Sequence, residues 1–101
     1  MITQKQKIRI KELCDKYSVA NLYVFGSILS DSHNPESDID FLINFSTDLS
    51  IDEYSDNYFN LHLELQQIFN KKVDLITERS LKNPYLIESI KSNRELIYNA
   101  A

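Results

Sequence analysis

An α/β or α+β fold, a small sheet covered by helices, is what this sequence predicts. Runs rich in β-forming residues (NLYVF, DIDFLINF, KVDLIT) alternate with segments whose apolar residues recur every three to four positions. The length of 101 residues suits one compact domain, taken as residues 1–101, with no room for a second. Neither observation fixes the order of the strands.

Taken in chain order, Thr3 and Gln6 form a capping-box pattern, and Ile10, Leu13, Cys14 and Tyr17 keep helical spacing, so a helix is expected over about 3–17. Residues 21–26 read as a strand, and 38–45 as a second. Ser50 and Glu53 repeat the capping-box pattern, with Leu49 and Tyr54 spaced as a hydrophobic staple. Behind them Tyr54, Tyr58, Leu61, Leu65, Ile68 and Phe69 carry a long amphipathic helix to about residue 70. Residues 72–77 make a third strand. Asn83 followed by Pro84 places an N-cap before a proline at the first helical position. The closing ELIYNAA is ambiguous between helix and strand.

Composition excludes several classes of protein. A formal charge of −4 gives no basic surplus of the kind that supplies non-specific affinity for nucleic acid, so direct nucleic-acid binding is not expected. The one cysteine, Cys14, cannot form an internal disulfide, and no cysteine cluster suggests zinc. The charged, periodic start reads as neither signal peptide nor anchor, and no apolar run reaches membrane-spanning length. A cytoplasmic location away from membranes is the expectation.

Chemistry concentrates between Gly26 and Asp74. Along a strand, side chains alternate faces. Asp38, Asp40, Leu42 and Asn44 therefore share one face, while Ile39, Phe41, Ile43 and Phe45 line the core on the other. Two carboxylates so close repel each other unless a cation lies between them, and a hard divalent ion such as Mg²⁺ prefers such oxygen donors. Asp74 sits between Val73 and Leu75, where an unpaired charge is costly. If its strand lies beside the second, it points at the pair, and three acidic groups suit two magnesium ions.

Gly26 is the only glycine in the chain, and it directly precedes Ser27 at the end of an apolar run. A residue without a Cβ lets phosphate approach the main chain, and the serine adds a hydroxyl and an N–H. A helical turn at Ile28 to Ser30 would add free N–H groups there. Each piece has a plainer reading: a turn at Gly26–Ser27, an edge or cap at Asp38–Asp40, an ion pair of Asp74 with Lys71 or Lys72. Their conjunction at successive strand ends favours a site.

Gly26-Ser27, a ten-residue spacer, then Asp38-Ile39-Asp40 within an apolar strand resembles the signature of the minimal nucleotidyltransferases of the DNA polymerase β-like superfamily. Asp74 in KVDLIT matches the third acid, and the resemblance spans nearly the whole chain. It implies an α+β fold with a small mixed sheet, and transfer of AMP from ATP to a hydroxyl. Asp38 and Asp40 would bind two Mg²⁺ ions, Asp74 would bind one and deprotonate the acceptor, and Gly26 and Ser27 would hold the β- and γ-phosphates. Small members of this family are commonly antitoxins that adenylylate a tyrosine of a HEPN-type toxin, which implies such a partner and a homo- or hetero-oligomer. The alternative is an antitoxin that neutralises its partner by contact alone. Many relatives carry basic residues after Gly-Ser. Here Ile28, Ser30 and Asp31 stand in those places, so positive charge must come from elsewhere, with Lys72, Arg79 or a partner as candidates.

Other residues carry weaker expectations. His33 reads as a solvated loop residue and His62 as a helix-surface or interface residue, neither with a metal-ligand partner at useful spacing. Cys14 falls on the apolar face of the first helix. Phe59 and Leu63 widen the apolar surface of the middle helix, as part of a broad core face or a protein-facing side. Most of the six tyrosines fall at core-facing positions.

Overall fold

The computed structural model describes residues 2–25 and 38–100. Three helices, α1 (Gln4–Lys16), α2 (Ile51–Phe69) and α3 (Pro84–Ser92), accompany four strands, β1 (Val19–Phe25), β2 (Ile39–Phe45), β3 (Val73–Thr77) and β4 (Arg94–Asn99), with a 3-10 turn at Glu78–Ser80. The sheet is mixed. Its order is β3-β2-β1-β4, with β1 antiparallel to both β2 and β4, and β2 parallel to β3. The ambiguous tail is therefore an edge strand: ELIY is short and charged at its start, but pairing with β1 satisfies the backbone groups on its inner side.

Helix starts follow the predicted chemistry. Thr3 and Gln6 exchange bonds with each other's backbone, as do Ser50 and Glu53, and the Asn83 side chain accepts from the N–H groups of Tyr85 and Leu86 ahead of Pro84. At the other end of α2, Asn70 closes the helix with φ of 50°, the left-handed position usually given to glycine. Removing the α2 cap with Ser50→Ala is expected to cost about 1 kcal/mol, read as a lower denaturant midpoint at unchanged slope.

The core lies between the sheet and helices α1 and α2. Phe41, Ile43 and Leu22 are fully buried, as are Ile10 and Cys14 of α1 and Leu61 and Leu65 of α2. Phe41 meets Phe69 at 5.9 Å between ring centroids, and Phe45 meets Tyr54 edge-on at 5.0 Å. Alternation along β2 holds for Asp40 and Asn44, which are half-buried, but Leu42 on their face is buried too. Its row partners Tyr23 and Ile76 explain this, because they surround it with hydrocarbon on that face. Leu42 and Ile90 are buried outside the main cluster.

Three side chains of α2 fasten it to β3. The Tyr58 hydroxyl donates to the Leu75 carbonyl, His62 Nε2 bonds the Val73 carbonyl, and the Val73 N–H donates to Gln66 Oε1 at 3.2 Å. His62 is therefore a tether between helix and strand rather than a surface residue. The backbone on both sides of Asp74 is fixed by these bonds.

Candidate active site

Asp74 does stand beside the Asp38–Asp40 pair. β2 and β3 run parallel with Asp40 and Asp74 as direct Cα partners, so their side chains project together from one face. Their carboxyl groups share a hydrogen bond. Asp38 lies two residues earlier, where β2 begins. Lys72, just before β3, places its ammonium 3.7 Å from Asp38 Oδ2 and 3.9 Å from Asp74 Oδ1. One cation thus spans two of the three acids.

Electrostatics match that crowding. The Asp40 carboxyl is pushed up to about 6 from an ordinary 3.8, first by burial, then by its hydrogen bond to Asp74 and the charges of Asp74 and Asp38. A carboxyl group near other carboxylates holds its proton to a higher pH than an isolated one. Among the described residues, no three His, Cys, Asp or Glu side chains are gathered tightly enough to hold a metal ion. Instead the Lys72 ammonium lies against Asp38 and Asp74. The donor set fits a hard divalent cation, since it offers oxygen only and already draws the Lys72 ammonium.

Gly26, Ser27 and His33, with the turn expected at Ile28 to Ser30, fall outside the described residues. Phe25, the residue before Gly26, is the Cα partner of Asp40 across β1 and β2. Arg79 belongs to another part of the molecule: its guanidinium lies 5.4 Å from the Tyr54 ring and lines a cavity of about 330 Å³ with Phe45, Ser46 and Thr47 at the far end of β2. Of the two basic residues singled out from the sequence, only Lys72 is beside the acids. A second cation on this face, Arg94 of β4, escaped the sequence reading because its strand did. Its only signal is Arg at the head of a short apolar run, and that says nothing about position until β4 pairs with β1.

Cys14 is fully buried, and its thiol is pushed up to about 12 by burial and by the charge of Asp15, so it is an inert core group. Phe59 and Leu63, by contrast, are exposed at 62% and 43%, which overturns their expected place in a broad core face. α2 buries only the stripe through Leu61 and Leu65, and those two residues lie off it. Of the tyrosines, Tyr98 is buried and Tyr85 is 86% exposed.

The fold and acid constellation define a nucleotidyl-transfer scaffold, and comparison with known proteins gives the family. The nucleotidyltransferase domain profile matches residues 7–97, so the chain belongs to the nucleotidyltransferase domain family. Among curated relatives, two proteins of Methanocaldococcus jannaschii named as protein adenylyltransferases are similar to it. One is 40% identical over 92 residues, covering 87% of this chain and 84% of its own. The other is 36% identical over 97 residues, covering 96% and 90%. Among solved structures, a minimal nucleotidyltransferase superposes with a TM-score of 0.73 at 24% identity, over 91% of this chain and 89% of that one. A chain from a complex of a Shewanella oneidensis HEPN toxin, tri-AMPylated, with its MNT antitoxin superposes at 0.65 and 19% identity, over 96% and 72%. At these identities the superpositions establish a shared fold. No helix among the described residues is long and apolar enough to cross a membrane.

Proposed function

We propose that this chain transfers AMP from ATP to a tyrosine hydroxyl of a HEPN-type toxin, and so acts as the antitoxin of the pair. The observation that carries the reading is the direct register of Asp40 with Asp74, with Asp38 two residues away. Support for the acceptor comes from the names of the curated relatives and from the AMPylated toxin complex among the structural neighbours.

In this reading Asp38, Asp40 and Asp74 hold two Mg²⁺ ions, and Gly26 with Ser27 cradles the β- and γ-phosphates. The metal, when bound, screens phosphate charge and lowers the pKa of the attacking hydroxyl. Asp74 takes the hydroxyl proton, for which it must be ionised. The acceptor oxygen forms a bond to the α-phosphorus as the bond from that phosphorus to the α–β bridging oxygen breaks, and pyrophosphate leaves with the electron pair. Asp40, in direct register with Asp74, sets the second carboxylate beside it. Lys72 balances the charge of Asp38 and Asp74 before substrate arrives.

The test is transfer of label from α-³²P-ATP, with Mg²⁺, to a HEPN-type toxin encoded beside this chain. Wild-type protein is expected to label a toxin tyrosine, and the double variant Asp38→Asn with Asp40→Asn to leave it unlabelled. Labelling that persists in the double variant defeats the catalytic reading. Full neutralisation of the toxin by the double variant favours an antitoxin that works by contact alone.

A further inference from the structure

Arg94 has a buried nitrogen with no hydrogen-bond partner among the described residues. Its Nη1 is shut off from solvent and makes no hydrogen bond among the described residues, although its guanidinium carbon rests 3.9 Å from the centre of the Tyr23 ring. No ion pair to Arg94 accompanies that stacking among the described residues. Stacking on an aromatic face fixes a guanidinium in place but leaves its in-plane donors unused. A buried donor on a charged group without an acceptor is a standing cost to the fold, and it calls for an explanation outside the fold.

Position supplies one. Asp74, Asp40, Phe25 and Arg94 are successive Cα partners across all four strands, so they form one row and project from one face. At the usual strand spacing, the Arg94 backbone stands about 10 Å from that of Asp40, with Phe25 between them. The acids occupy one side of the row and a fixed guanidinium the other. A polyphosphate whose metal sits on the acids would extend along this row. Its tail then needs positive charge, and residues 26–37, which follow Phe25 in sequence, contain no lysine or arginine.

We propose that Arg94 binds the terminal phosphates of the nucleotide, its guanidinium donating to phosphate oxygens on the same face of the sheet, at the end of the row away from the carboxylates. The inference rests on the nucleotide-transfer reading above and adds the cation that this chain uses. A planar fork held by Tyr23 suits two phosphate oxygens at once, which a lysine cannot match.

Binding of ATP, ADP and AMP to the full chain with Mg²⁺, followed by calorimetry, tests this with Arg94→Gln and Arg94→Lys. Losing a charged hydrogen bond is expected to weaken ATP about 10–100-fold in Arg94→Gln, with AMP changed less than about two-fold. Arg94→Lys should fall between, and inhibition by inorganic pyrophosphate should weaken in parallel with ATP binding. Melting temperatures of both variants, at or above wild type, show that the fold is intact. Wild-type binding of ATP with Arg94→Gln equal to it, or equal losses for ATP and AMP, overturns the role of Arg94 while leaving the nucleotide site standing. If the wild type binds none of the three nucleotides, the nucleotide reading falls and this assignment falls with it.

Discussion

Asp40→Asn is expected to slow nucleotidyl transfer by at least about 100-fold, the usual loss when one charge-stabilising group leaves a reaction centre. The same change should raise the melting temperature of the protein at pH 7.5 in EDTA. These opposite signs share one cause. Asp40 titrates at about 6 in the folded chain against 3.8 for an unperturbed carboxyl, so folding favours its protonated form. The stability this provides is fully present below pH 4 and is lost as pH rises through 6. Above that, an ionised Asp40 faces Asp74 and Asp38 at a cost that asparagine does not incur. Melting curves from pH 4 to 7.5 check the sign: the wild type should lose more stability over that range than Asp40→Asn. A variant that melts lower than wild type at pH 7.5, or one that transfers at the wild-type rate, contradicts the account. Site residues that destabilise the empty protein are a common cost of function.

The second large effect lies one residue further on. Phe41→Ala is expected to cost about 3–5 kcal/mol, because a fully buried ring packed on Phe69 leaves a cavity that β2 is too constrained to close. Against a total stability of about 5–15 kcal/mol, that removes a substantial share of the margin. Denaturant melts should show it, and Leu63→Ala, 43% exposed on α2, should stay within about 0.5 kcal/mol of wild type. Comparable losses from the two variants would mean that the core has been placed wrongly. Phe41 sits between Asp40 and Leu42, so one strand supplies the core on one face and the acids on the other.

Local signals were legible in the sequence wherever they were local in cause. Thr3, Ser50 and Asn83 mark helix starts because a cap bonds residues two or three positions away. Asp74 could be singled out because Val73 and Leu75 on either side demand burial. What depends on distant partners was not legible. The strand at 94–99 opens on Arg-Glu, which suit a helix as well as a strand, and its identity comes from β1. Leu42 reads as solvent-facing by alternation, yet rows running through β1 and β3 enclose it. His62 reads as a surface residue, because nothing nearby in sequence announces the Val73 carbonyl that it meets. Arg94 follows the same rule: its meaning is set by Tyr23 and Phe25, some seventy positions earlier.

The bonds from Tyr58, His62 and Gln66 to β3 also bear on how this molecule avoids sticking to itself. β3 is the rim of the sheet, and a bare rim would template further chains. Here the Val73 N–H and the Val73 and Leu75 carbonyls are already taken by side chains from α2, so an incoming strand finds them occupied. Strand addition at that rim would have to break helix-to-strand bonds that also hold Asp74 in register. Loss of solubility and loss of catalytic alignment are therefore coupled, and damage to α2 should produce both together.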